Sequence, residues 1–202
     1  MKKNIELRDD TYYDDLIYEV KRLAGFDVPV DFDIWASIAR RKDNVRVDEF
    51  INGEPVSAYC MSPFQKDLNF INQKIAKKFN KLYIDFDELK KYPLLVELEL
   101  IELEKRKIEN HLLKYLCVIV EQMVPSYMFS LGGSSEQCIC LNKNDNMWEV
   151  YMVERGIPFE KDRFEDCFDA CLKVLYHLAD SKQMWEENRD KFITVRKLTQ
   201  KK

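Results

Sequence analysis

Glycine and proline are scarce in this chain, with five and six among 202 residues. Turns at positive φ and tight chain reversals draw on those two residues, so their scarcity argues against a loop-rich all-β fold and for a helix-rich one. Histidine is scarcer still. His111 and His177 are the two in the chain, and neither stands in a Cys/His or Ser/His motif that would activate a nucleophile. No stretch approaches the ~18 consecutive apolar residues of a membrane span. Met1-Lys2-Lys3-Asn4-Ile5-Glu6 has lysines with no apolar run after them, so no signal peptide is expected. A strong excess of one charge is also missing. The net charge is −4 although charged residues make up 34% of the chain, and the two signs are interspersed. Such a mildly acidic surface disfavours nucleic acid and anionic membrane as partners. It suits a basic protein partner, and equally any cytosolic protein.

The motifs of common chemistries are absent too. There is no dinucleotide glycine fingerprint, Walker loop, His-Glu-x-x-His or Gly-x-Ser-x-Gly, and Gly132-Gly133-Ser134-Ser135 lacks the following Lys-Ser/Thr of a phosphate loop, so it reads as a turn. Glu97, Glu99, Glu102 and Glu104 fall on an exposed helix, where nothing suggests the burial that raises a carboxylate pKa for acid catalysis. No enzymatic activity and no cofactor are expected. The six cysteines are not spaced as a small secreted disulfide scaffold, which points to a reducing cytoplasm. Cys138 and Cys140 alternate onto one strand face, and Cys167 and Cys171 share one helical face. If that face met that helix, four thiols would converge on a tetrahedral metal. Zinc sites mostly use Cys-x-x-Cys turns, however, and free cysteine is commonly buried. Reduced core packing is the expectation and a metal the exception.

Hydrophobic residues make up 46% and aromatics 12% of the chain, ample for a packed core. The longest signal runs from Leu94 to about Val124. Pro93 stands at a tolerated first helical position and Pro125 at a stop, with strong helix formers between. Leu94, Leu98, Ile101, Ile108, Leu112, Tyr115 and Ile119 recur at three- and four-residue steps and are expected to share the buried face. At ~1.5 Å per residue the helix would be roughly 45 Å long. Before it, Thr11 is placed to cap a helix carrying Tyr13, Leu16, Ile17, Val20 and Leu23 and ending at Gly25. The acidic cluster Asp9, Asp10, Asp14 and Asp15 lies at that helix's positive end, where it complements the dipole. A short helix is expected after Asp31 or Asp33. Val45–Ile51 and Pro55–Cys60 flank Asn52-Gly53, a strong hairpin signal. Ser62, Pro63 and Gln65 start a helix with Phe64, Leu68, Ile71, Ile75 and Phe79 inward. Its lysines, Lys74, Lys77, Lys78 and Lys81, form a solvated face, because the neighbouring aromatics fall on the apolar side rather than among them. Asp85 and Glu88 start one more short turn of helix.

Beyond Pro125, the runs Tyr127–Leu131, Gln137–Asn142 and Met147–Val153 suggest a three-stranded antiparallel meander. A helix over Arg163–Ala179 and a packed turn at Met184 and Trp185 follow, and the basic tail 191–202 is expected to fray. Together these elements predict a helix-dominated α+β domain over 1–190. Lobes 1–92 and 126–190 would be joined by the long helix 93–125.

Within Gln137–Leu178, the segment Trp148-Glu149-Val150-Tyr151-Met152-Val153-Glu154-Arg155-Gly156 is followed by Phe164 and a helix containing Ala170. A Trp-x-Val-Tyr strand ending in Glu-Arg-Gly before an amphipathic helix resembles small α+β immunity proteins of bacterial polymorphic toxin systems. The resemblance covers about a fifth of the chain. It implies a cytoplasmic protein that binds a cognate toxin domain and occludes its active site. In strand geometry Trp148, Val150 and Met152 share one face and Glu149, Tyr151 and Val153 the other. Gly156 allows a positive φ at the strand end. Glu154 and Arg155 either pair with each other or with the following helix, or border, with Tyr151, a partner-binding surface in which Tyr and Arg are favoured anchors. The alternative is an adaptor without enzymatic activity that assembles through the exposed half of its long helix.

Overall fold

The computed structural model describes residues 5–29, 50–51, 54–55, 63–133 and 135–199. They form a helix-dominated α+β architecture, and contacts divide the chain into two compact units. The helical unit is Asp9–Arg106. The sheet unit is Lys107–Lys202 with the N-terminal segment Met1–Arg8. No helix among the described residues is long and apolar enough to cross a membrane.

In the helical unit, α1 spans Tyr12–Leu23. Thr11 precedes it without a side-chain cap bond; its hydroxyl donates instead to Asp9, 3.1 Å away. Gly25 follows at φ +81°, the left-handed turn that glycine takes without strain. Strands β1 (Phe50–Ile51) and β2 (Glu54–Pro55) pair antiparallel, with Ile51 opposite Glu54, as the Asn-Gly signal predicts. The rest of that hairpin, the short helix expected after Asp31 or Asp33 and the Ser62 cap lie outside the described residues. Helix α2 is Pro63–Lys77, and α3 is the single turn Phe86–Leu89, capped by the Asp85 carboxylate accepting from the Asp87 N–H at 2.8 Å. Leu16, Phe64, Ile75, Ile84 and Val96 are buried together. Asn72 is buried among them and pins the loop before α3. Its amide donates to the Ile84 carbonyl at 2.8 Å and accepts from the Ile84 N–H at 3.1 Å.

Helix α4, Pro93–Met123, matches the expected element in extent. Its first half buries the wrong residues for the expectation. Val96, Leu100 and Leu103 join the core, whereas Leu94, Leu98 and Ile101 are exposed. Apolar residues occupy both sides of this half-helix, so periodicity alone could not choose between them. The second half buries Leu112, Leu113, Leu116, Ile119 and Val120 in the core of the sheet unit. Its opposite face, with Val118, Glu121 and Gln122, is exposed, so a helix apolar nearly all round is buried on one side.

The sheet has four strands in the order β3 (Phe129–Leu131), β4 (Ile139–Asn144), β5 (Met147–Glu154) and β6 (Ile157–Phe164). Two expectations are corrected here. First, β3 is only three residues long and runs parallel to β4, so the sheet is mixed rather than an antiparallel meander. Ser126–Met128 before it forms a turn of 3-10 helix. Second, a fourth strand occupies what was expected to be a loop and the start of a helix. Its run of Glu160, Lys161, Asp162 and Arg163 hides the alternation, because this edge strand keeps charged side chains in water. Helix α5 therefore starts at Cys167, capped by Asp166 accepting from the Phe168 N–H at 2.9 Å, and ends at Leu178.

The tail is corrected as well. Residues Lys182–Thr199 form α6, anchored by the fully buried Phe192, which stacks on Phe168 with ring centroids 5.3 Å apart. Arg196 closes the contact, donating to Asp166 at 2.8 Å with its guanidinium 4.2 Å from the Phe168 ring centroid. Ile139, Leu141, Trp148 and Val150 form one sheet face in the core with α5 and the second half of α4. Glu109 is buried with them. It takes the Lys143 ammonium at 2.6 Å and the Trp148 indole N–H at 3.4 Å. Asn110 grips the N-terminal segment through a paired bond to the Arg8 backbone, both contacts 3.1 Å.

Candidate functional site

Strand alternation puts Glu149, Tyr151 and Val153 opposite Trp148 and Val150, as expected. That second face is itself largely covered: Cys138, Cys140, Tyr151 and Val153 form a separate buried cluster. Cys167 and Cys171 belong to the main core instead. The Sγ atoms are 3.6 Å apart in the first pair and 3.9 Å in the second, but the sheet lies between the two sets, so the four thiols do not converge. Among the described residues no group of His, Cys, Asp and Glu is arranged to hold a metal ion. Burial pushes the Cys171 thiol well up, and neighbouring Cys167 adds to the shift. Burial also raises the Cys117 thiol, helped by Glu121. A thiol held protonated is a poor nucleophile and a poor metal ligand.

The Tyr151 hydroxyl accepts from the Asn142 side chain on neighbouring β4. Burial raises its pKa, and the nearby Cys140 raises it further, so the phenol stays neutral. Opposite Tyr151, β6 carries one residue too many. Val150 pairs with Asp162 and Met152 with Phe159, leaving Glu160 and Lys161 across from Tyr151 alone. Glu160 takes φ +49° in this bulge, and the Lys161 ammonium sits 5.9 Å from the Tyr151 ring centroid. Bulges of this kind re-aim side chains and cluster beside functional sites. Beside it, the buried Glu149 carboxylate takes Lys161 at 2.7 Å and the Arg163 Nε at 3.0 Å. This face thus carries two cations around one carboxylate and is not an acidic patch.

Glu154, Arg155 and Gly156 lie at the other end of β5, apart from Tyr151. Arg155 and Gly156 take φ +53° and +77° and form the two-residue turn into β6. Positive φ at both central positions is the hairpin geometry that matches strand twist. Glycine meets it freely, and arginine at such a position costs on the order of 1 kcal/mol. The turn is held from outside. The Glu136 carboxylate accepts the Arg155 N–H and, at 3.0 Å, the Gly156 N–H. Among the described residues neither the Glu154 carboxylate nor the Arg155 guanidinium has an ion-pair partner, so the expected pairing with each other or with α5 is not made. The result is a clamped backbone with a free arginine at its tip.

The sequence places Tyr151 and Glu154 on β5 and Arg155 at its end, as the structure does, but gives no sign of Glu136, Asn142, Lys161 and Arg163 beside them. Lys161 and Arg163 became invisible with the loss of β6. The clearest signal for that strand was the Arg-Gly pair followed by Ile157 and Phe159, two apolar residues at strand spacing. No protein-family model, curated protein or solved structure matches this chain.

Proposed function

We propose that this protein is a cytoplasmic immunity protein that binds a cognate bacterial toxin domain and blocks its active site, without chemistry of its own. The observation that carries the reading is the hairpin tip. Arg155 is held in a strained, externally clamped turn with its guanidinium unpaired, within the Trp148–Gly156 segment that resembles such proteins. Strain kept at one exposed position points to function, and a preorganised arginine is a favoured interface anchor. The chain's net charge of −4 would speed encounter with a basic toxin, while the hairpin supplies the specific contact. The raised thiols and the neutral Tyr151 phenol fit a binding role better than a catalytic one.

The test is capture with the tagged protein from its source cells. A stoichiometric partner is expected that arrests growth when expressed alone and is tolerated when co-expressed with this protein. Arg155→Ala should weaken the complex by about 2 kcal/mol, roughly thirtyfold, at unchanged melting temperature. A partner harmless on its own, or no partner, sinks the reading. Equal losses of binding and of stability would make Arg155 a structural residue.

One observation favours a second reading, an adaptor that assembles through α4: the exposure of Leu94, Leu98 and Ile101.

A further inference from the structure

Leu94, Leu98 and Ile101 are 74%, 55% and 60% exposed. They stand at i, i+4 and i+7 on α4, so they form one stripe along the part of α4 that lies in the helical unit. Three large apolar side chains in a line are the spacing at which a helix seats a second helix. They are not needed for the core, which Val96, Leu100 and Leu103 fill from the other side.

The charges beside the stripe select what can lie on it. Helical geometry puts Glu97 and Glu104 along one flank and Glu102 along the other. Lys105 ends the stripe, and Arg106 pairs with Glu102 at 3.5 Å, one turn further on. In a helix pair these flanks face the flanks of the partner. A second copy of α4 therefore meets carboxylate with carboxylate in either orientation. Parallel packing sets Glu97 and Glu104 against Glu102, and antiparallel packing sets each flank against itself. An anionic membrane surface is repelled for the same reason. A helix with an apolar stripe flanked by Lys or Arg satisfies both the apolar line and the carboxylates.

We propose that the exposed face of α4 over Leu94–Glu104 is a docking site for a basic amphipathic helix of another protein. The mode is helix-on-helix, with apolar residues at three- and four-residue spacing supplying contact and the glutamates supplying selectivity. This inference rests on the adaptor reading, whose exposed residues it uses and whose partner it names, and it stands apart from the hairpin and from the immunity reading.

The experiment uses the full chain and two labelled synthetic peptides, each a four-turn helix with a leucine stripe. One is flanked by lysines and the other by glutamates, and binding is followed by fluorescence anisotropy. The lysine-flanked peptide should bind at least about tenfold more tightly, with an affinity that falls as salt is added. Leu98→Gln with Ile101→Gln should remove binding while helix content and melting temperature hold, because both side chains are already in water. Glu97→Lys with Glu104→Lys should shift preference toward the glutamate-flanked peptide. Equal binding of both peptides, binding indifferent to the leucine and isoleucine changes, or no binding would overturn the proposal. So would a dimer of the protein alone that Leu98→Gln dissolves, or sedimentation with anionic vesicles in place of peptide binding.

Discussion

Asn72 and Asn110 do the same job in the two units over very different lengths of chain. Each is a buried amide that makes a paired hydrogen bond to one backbone residue. In the helical unit the partner, Ile84, is 12 residues away. In the sheet unit the partner, Arg8, is 102 residues away. The contrast extends to the buried acids. Glu19 takes Arg22 three residues on, at 2.9 Å to both nitrogens. In the sheet unit Glu109 reaches Lys143 over 34 residues and Glu149 reaches Arg163 over 14, and the half-exposed Asp166 likewise reaches Arg196 over 30. Buried polar groups must find partners wherever they are. A helix can offer a partner one turn away, as it does to Glu19, although Glu99 of α4 finds Lys74 on α2 and Lys78 just beyond its end, at 3.6 and 3.9 Å. These acids of the sheet unit all draw their partners from other segments.

The comparison breaks most visibly at Phe192. It is fully buried although it belongs to the last helix, so Phe192→Ala should cost about 3–5 kcal/mol. Hydrogen exchange should show the loss in α5, α6 and the sheet, with protection of α1 and α2 retained. Uniform loss across both units would show that the two unfold as one, and the contrast drawn above would then have no thermodynamic meaning.

The asparagine pair sharpens the same point. Asn72→Ala leaves the Ile84 N–H and C=O without partners at a fully buried position, a cost of roughly 2–3 kcal/mol. Asn110→Ala frees a terminal segment whose backbone can return to water, so about 1 kcal/mol is expected. Its signature is local: residues 5–8 should lose exchange protection with little change elsewhere. Denaturant melts of the two variants check the order, and equal costs would mean that the N-terminal segment is as confined as the loop before α3.

At the hairpin tip, stability and binding should part company. Arg155→Asn places a residue that tolerates positive φ before Gly156, the favoured pair for this turn. It should stabilise the protein by roughly 0.5–1 kcal/mol and, if the proposed interface is right, cost the complex its arginine anchor. A thermal melt and a binding titration on the same preparation decide it. A variant both tighter-folded and equally well bound would remove the functional explanation for the strain.

The same contrast explains what could be read from the sequence. Helices α1 and α4, the Asp85 cap, the Asn-Gly hairpin and the Gly156 turn all rest on local rules, and each was legible. Strand β6 was not, because the partners that make it a strand lie on β5, and its own residues are charged. The second half of helix α6 reads as a frayed tail in the sequence because its core contact, Phe168, lies 24 positions from Phe192. The parallel pairing of β3 had no local signal at all. The α4 stripe failed differently. Its apolar residues surround more than one face, and which face is buried depends on what packs against it. Of the candidate site, Tyr151, Glu154, Arg155 and Gly156 were visible as a segment. The Glu136 clamp and the Lys161–Glu149–Arg163 cluster were not, since both join segments across the sheet.

The smallest effect expected is in pH. Burial lowers the His177 pKa, and the ammonium of Lys173 lowers it further. Lys173 itself pairs with Asp162 on β6 at 2.9 Å. In the unfolded chain the imidazole titrates near its ordinary value of about 6.5. Between that pH and the lower folded value, the unfolded chain holds more protons than the native one, so stability rises with pH across the window. The contribution is complete above about pH 6.5 and is lost as the solution is acidified through the folded pKa. The side chain is partly exposed, so the slope should be shallow. His177→Gln should flatten it, with the effect read in the sheet unit, where α5 lies. Tyr176 sets a T-shaped contact against the imidazole, 5.9 Å between ring centroids, and the glutamine keeps the volume but not the ring. Comparing His177→Gln with Lys173→Met separates the causes. Removing the ammonium should raise the imidazole pKa and shrink the slope without abolishing it, because desolvation remains. If instead Lys173→Met removes the pH dependence entirely, charge rather than burial dominates at this helix end.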